Sequence, residues 1–101
     1  LVYLDLSGNF FQSLPDSVCS LPNLRELNMA NNKLEKLPPS ILNLKKLEVL
    51  DLSNNSLKKL PLELDFMESL KFIRLKGNPL GKEEKERLRR IFMERKIKVE
   101  F

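Results

Sequence analysis

Histidine is absent from this chain, and cysteine occurs once, at Cys19. That removes the imidazole base of acyl-transfer triads and the His/Cys ligand sets of zinc sites, and it leaves no internal disulfide. Aspartates and glutamates are scattered, with no pair held by a motif, and the three glycines form no phosphate-binding loop. The residues that combine useful chemistry with regular spacing are asparagines: Asn9, Asn32, Asn55 and Asn78 follow one another at intervals of 23. A carboxamide donates and accepts hydrogen bonds at once, so one such side chain can serve the backbone groups of a buried turn. That chemistry is structural. The residues predict no catalytic group, no metal and no cofactor, and hence no enzyme within this segment.

The same step governs the apolar residues, and a fixed period of this size marks a repeat architecture. Leu1, Leu24, Leu47 and Leu70 open four units. Counted from these, Leu4, Leu27, Leu50 and Ile73 stand at offset 3, and Leu6, Met29, Leu52 and Leu75 at offset 5. Phe11, Leu34, Leu57 and Leu80 stand at offset 10. The first three units add Leu14-Pro15, Leu37-Pro38 and Leu60-Pro61, then Val18, Ile41 and Leu64, then Leu21, Leu44 and Met67. Apolar residues two apart predict a short strand with one buried face. Units of one polarity pair such strands in parallel. Proline fixes φ and lacks a donor, which suits entry into a short helical or 3₁₀ turn. These turns are expected at 16–21, 39–44 and 62–67, with Asp16 and Ser40 as N-caps.

Four copies in register resemble the leucine-rich repeat family, whose motif runs L-x-x-L-x-L-x-x-N-x-L, over residues 1 to about 81. The Leu-Pro pair resembles the 23-residue variety common in intracellular proteins of the Ras-scaffold-like group. The resemblance implies an α/β solenoid, with short parallel strands on a concave face and short helical or 3₁₀ turns on a convex one. Its repeats cover 1–23, 24–46, 47–69 and, in part, 70–81.

The ends depart from the period. Gly77-Asn78-Pro79-Leu80-Gly81 turns the chain away. Lys82 to Arg95 contains no Pro or Gly and predicts a helix with Leu88, Ile91 and Phe92 on one apolar face. Residues 82–101 thus form a helical cap with an extended tail, where Ile97, Val99 and Phe101 alternate with Lys98 and Glu100. Leu1 enters a strand with no polar flank. Terminal repeats need a polar outer face, so further repeats are expected before it in the parent chain. The net charge is +4, with ten Lys/Arg against nine Asp/Glu in residues 1–81 and eight against five in residues 82–101. The mixed run from Lys82 to Arg87 suits a solvated helix face better than a nucleic-acid patch. The acids in the tail also weigh against the alternative of a basic amphipathic helix lying on a membrane. No apolar run reaches the length needed to span a bilayer.

With leucines and asparagines committed to core and turns, function falls to the outward strand residues. Offset 2 holds Tyr3, Glu26, Val49 and Phe72, and offset 4 holds Asp5, Asn28, Asp51 and Arg74. Offset 6 holds Ser7, Ala30, Ser53 and Lys76, with Val2, Arg25, Glu48 and Lys71 flanking at offset 1. The expected partner-binding residues are Tyr3, Asp5, Glu26, Asn28, Val49, Asp51, Phe72, Arg74 and Lys76. Tyr3, Val49 and Phe72 are large side chains of the kind that anchor interfaces. Acids precede the basic fourth strand, a polarity that would orient a partner. The plainer alternative joins Arg25–Glu48–Lys71 and Asp51–Arg74 sideways, as exposed ion pairs worth ~0–1 kcal/mol each.

The expected function is non-catalytic protein–protein recognition by a cytoplasmic scaffold or adaptor in signalling. The partner is a protein and not nucleic acid, membrane or a small molecule. A regulatory or substrate-recruiting domain of a larger kinase, GTPase or ubiquitin ligase is one alternative, and a structural spacer another. A lone thiol fits a reducing compartment. Cys19 shares its column with Leu42 and Asp65, which predicts partial exposure. Asn54-Asn55-Ser56 matches the N-x-S glycosylation pattern, but it belongs to a turn.

Overall fold

A computed structural model describes all 101 residues. Five three-residue strands form one parallel sheet in chain order: β1 (Tyr3–Asp5), β2 (Glu26–Asn28), β3 (Val49–Asp51), β4 (Phe72–Arg74) and β5 (Lys98–Glu100). The register repeats without slip, with Leu4 beside Leu27, Leu27 beside Leu50, and Leu50 beside Ile73. The backbone ladder repeats as well. Arg25 N–H donates to the Val2 carbonyl, Glu48 N–H to Arg25 and Lys71 N–H to Glu48, each at 2.8 Å.

The inward strand residues Leu27, Met29, Leu50, Leu52, Ile73 and Leu75 are buried, and so are Leu24, Leu47 and Leu70. They pack against Leu34, Leu57, Leu37, Leu60, Ile41 and Leu64 from the returning chain. The core is therefore a strip along the solenoid, as a one-dimensional stack requires. Leu4, Leu6 and Phe11 of the first unit are only half-buried, and Leu1 is exposed.

The convex layer holds α1 (Asp16–Cys19) and 3₁₀ turns at Pro39–Asn43 and Leu62–Phe66, one turn or so each. The N-cap positions are Pro15, Pro38 and Pro61, and none makes a side-chain cap. The expectation of Asp16 and Ser40 as caps is thus wrong, because the chain turns one or two residues earlier. Proline at the cap leaves Asp16 and Ser40 already inside the helical turn. Cys19 also departs from expectation: it is 2% exposed and belongs to the core. Leu42 and Asp65 of the same column are half-buried, so Cys19 is the most enclosed of the three, and burial pushes its thiol above its ordinary pKa.

After Leu80, α2 (Lys82–Glu94) crosses the end of the stack and buries Leu88 and Phe92, with Ile91 half-buried. The helix closes with a left-handed Lys96 (φ 58°). Ile97 N–H reaches the Phe92 carbonyl at 2.7 Å and Lys96 N–H the Met93 carbonyl at 3.1 Å, the Schellman arrangement. That turn aims the tail back along the sheet, where Val99 lies beside Ile73. The extended tail is therefore a fifth strand, and its sheet position is not visible in the repeat.

Candidate functional site

Two kinds of turn chemistry hold the strands that make up the outer face. At offset 7 the residues Gly8, Asn31, Asn54 and Gly77 all take left-handed φ, at 71°, 59°, 56° and 82°. Glycine and asparagine are the residues that occupy this region readily. The pattern is present in the sequence as a Gly/Asn column immediately before the ladder asparagines. The ladder itself reaches backwards. Asn32 Nδ2 donates to the Leu6 and Met29 carbonyls at 3.0 Å, while its Oδ1 accepts from Phe11 N–H at 3.1 Å. Asn55 repeats this with Met29, Leu52 and Leu34, and Asn78 with Leu52, Leu75 and Leu57. Asn54-Asn55-Ser56 lies across this turn, with Asn55 buried.

The registered strands place their outward residues in two rows. One runs Tyr3, Glu26, Val49, Phe72, Lys98, and the other Asp5, Asn28, Asp51, Arg74, Glu100. Lys98 and Glu100 are members that repeat logic alone missed; the alternation of the tail was the available signal.

Within the second row, Asp5, Asn28 and Asp51 have a backbone task. Asp5 Oδ1 accepts from Ser7 Oγ (2.6 Å) and Ser7 N–H (2.9 Å), and Asp51 Oδ1 accepts from Ser53 Oγ (2.7 Å) and N–H (3.0 Å). Asn28 Oδ1 accepts from Ala30 N–H at 3.0 Å. The Ser7 hydroxyl and amide hold the Asp5 carboxyl below its ordinary pKa, so it stays anionic. Arg74 interrupts this column and reaches sideways instead, to Asp51 at 3.5 Å and Glu100 at 3.8 Å. At offset 1, Glu48 takes Arg25 at 2.7 Å and Lys71 at 3.6 Å. Both sideways pairings expected as the plainer alternative are thus present.

The first row carries the larger side chains. Tyr3 is half-exposed, and Val49 and Phe72 are half-buried. The Phe72 ring lies under two cations, Arg74 at 4.9 Å and Lys98 at 5.6 Å from its centroid. Ala30, expected to face outward, is buried at 6%. Lys76 is exposed. No group of His, Cys, Asp or Glu is clustered so as to hold a metal ion, and no helix is long and apolar enough to cross a membrane.

The period, the parallel register and the asparagine ladder agree with the comparisons. A leucine rich repeat model matches residues 1–42 and 22–80. The chain belongs to the leucine-rich repeat family. Domains of this family generally mediate protein–protein interaction. A solved leucine-rich repeat protein from Leptospira interrogans is 42% identical and superposes with a TM-score of 0.91 over 100% of this chain. The chain spans 25% of that protein's length. No curated protein matches.

Two features break the internal repeat of the outer face. Arg74 stands where the earlier repeats keep an acid or amide, and β5 extends the face beyond the last repeat motif.

Proposed function

We propose that this leucine-rich repeat segment is a non-catalytic recognition module of scaffold or adaptor kind, binding a protein partner on its strand face. The observation that carries the proposal is the row Tyr3, Val49, Phe72. These are large apolar or amphipathic side chains held in register on an otherwise polar surface, left partly open to solvent. Aromatic side chains in such positions are the usual anchors of an interface. Glu26, Arg74 and Lys76 supply the polar surround. Asp5, Asn28 and Asp51 each hold their own turn through Oδ1, and Asp51 Oδ2 is engaged by Arg74.

Leu1, Val2, Tyr3 and Phe10 are exposed beside the free edge of β1. The unpaired thiol, Cys19, is compatible with the cytoplasmic setting of such an adaptor.

The parent protein carrying Tyr3→Ser, Phe72→Ser and Arg74→Ala together tests the proposal by affinity capture. Loss of partners with an unchanged circular dichroism spectrum is the expected result. An unchanged set of partners would mean that the strand face is a spacer surface or that recognition lies elsewhere.

A further inference from the structure

The ion pairs on the strand face cancel most of its charge. Arg25, Lys71 and Arg74 are closed against Glu48, Asp51 and Glu100, three cations on three anions. Four charges on the face remain without an ionic partner. Asp5 and Glu26 lie on or beside β1 and β2, while Lys98 lies on β5 and Lys76 just past β4. The net field is therefore negative at one end and positive at the other. Between the ends the row holds Val49 and Phe72, partly open and apolar.

The spacing is as specific as the signs. Glu26 and Lys98 sit in one register row, three strand intervals apart, ~14 Å at ~4.8 Å per interval. An extended peptide puts alternate side chains on one face and rises ~3.3 Å per residue, so its first and fifth residues stand ~13 Å apart. The third falls midway, over the step between Val49 and Phe72.

We propose that the face reads an extended partner segment of the pattern basic-x-apolar-x-acidic, laid across the strands with its basic end over β1 and β2 and its acidic end over β4 and β5. The inference rests on the strand-face function proposed above and adds the partner's chemistry and direction. The end charges set orientation and encounter rate more than affinity. The segment's direction along its own chain is free, because a reversed peptide of reversed charge presents the same face. A wholly basic or wholly acidic partner meets repulsion at one end, which separates this surface from one built for nucleic acid or an anionic membrane.

The probe is the synthetic peptide Gly-Ser-Arg-Thr-Leu-Thr-Glu-Ser-Gly, carrying a nitroxide beside its arginine, titrated into the isotopically labelled chain and followed by amide NMR. Expected are shifts along Glu26, Val49, Phe72 and Lys98, with paramagnetic broadening strongest at β1 and β2 and weakest at β5. In the Glu26→Lys/Lys98→Glu variant, whose changes are at exposed positions, the broadening moves to β4 and β5. Peptides with arginine at both ends or glutamate at both ends bind roughly fivefold more weakly, from the loss of one exposed pair and the gain of one repulsion. Equal binding by all three peptides, broadening indifferent to the charge swap, or no binding at all overturns the inference. Shifts on the strands without directional preference overturn it while leaving the strand-face function standing. Shifts confined to the convex cleft between Leu42 and Phe66 overturn both.

Discussion

At the scale of single residues, the four ladder asparagines are not equivalent. Asn55 is buried and is the partner of Leu34 N–H and of the Met29 and Leu52 carbonyls. Asn9 is exposed, and its amide only donates to the Leu6 and Ser7 carbonyls. An orphaned buried group costs ~1–3 kcal/mol, so Asn55→Ala is expected to destabilise by at least ~2 kcal/mol. Asn9→Ala, where water can replace the amide, should stay within ~0.5 kcal/mol. Urea unfolding of the two variants checks the contrast, and equal effects would mean that the ladder is not what the asparagines stabilise. Lys96 is the opposite case, a residue in the wrong place for its type. A non-glycine residue in the left-handed region costs ~1–2 kcal/mol, and its φ is 58°. Lys96→Gly should therefore raise stability by ~1 kcal/mol, by easing the C-terminal turn of α2. The asparagine column was legible because its period is strict. The left-handed column was equally periodic but written in two residue types, Gly8 and Gly77 against Asn31 and Asn54, and so was hidden from a search for identity. Neither Lys96 nor the inward turn of Cys19 has any periodic trace.

At the scale of elements, strands, convex turns and the cap helix were legible, because alternation, Leu-Pro pairs and the spacing of Leu88, Ile91 and Phe92 are local signals. The joining of β5 to the sheet was not, since it depends on where the α2 turn aims the chain. With it went Lys98 and Glu100, which change the electrostatics of the outer face from a simple gradient to paired charges plus two free ends. The clamp between α2 and the third repeat was likewise invisible. Glu84 accepts from Leu60 N–H at 2.9 Å and from Arg87 Nε and Nη2 at 2.9 Å, while Arg87 also reaches Asp65 at 3.4 Å. The Arg87 side chain is the main cause holding the Glu84 carboxyl below its ordinary 4.5, against the opposing effect of burial, with the Leu60 amide assisting. A carboxylate with a depressed folded pKa contributes stability that is complete above its unfolded pKa and is lost as pH falls through the folded one. The clamp should thus be intact at neutral pH and weaken only below about pH 4.5, the unfolded value. Glu84→Gln should lower the thermal midpoint at pH 7 and flatten its fall below about pH 4.5. A variant with the wild-type acid profile would place the acid sensitivity on other carboxylates.

At the scale of the whole molecule, stability lies in the interfaces between neighbouring units, since each unit contacts chiefly the next. The two ends of the stack are therefore the places where one interface is missing or replaced. At the β5 end, α2 and the tail replace it. Leu88 and Phe92 are 0% exposed and Ile97 is 5% exposed, all within the same core cluster as Leu64, Leu75 and Leu80. Fully burying such side chains is worth ~1.5–3 kcal/mol each, so these three account for ~4.5–9 kcal/mol before any hydrogen bond is counted. A domain of this size has only ~5–15 kcal/mol of net stability. Removal of residues 82–101 thus takes away an amount comparable to the whole, and it also leaves the far edge of β4 and the Leu75 amide, now bonded to the Glu100 carbonyl at 2.7 Å, without partners. The truncated chain 1–81 should show no cooperative unfolding transition, or aggregate through the apolar core surface bared beside β4. The point variant Phe92→Ala should retain the fold but lose ~3–5 kcal/mol, as large a loss as truncation of a central strand leucine such as Leu50. Urea titration followed by circular dichroism measures both. A cooperative, near wild-type transition in the 1–81 chain would mean that the three complete repeats are self-sufficient, and that the cap governs solubility more than folding. The opposite end offers a comparison within the same molecule: Leu4 and Leu6 are half-buried where Leu27, Leu50 and Leu52 are closed. Amide exchange in the 101-residue chain should accordingly be fastest at Leu4 and Leu6 and slowest at Leu50 and Leu52, where both neighbouring units are in place.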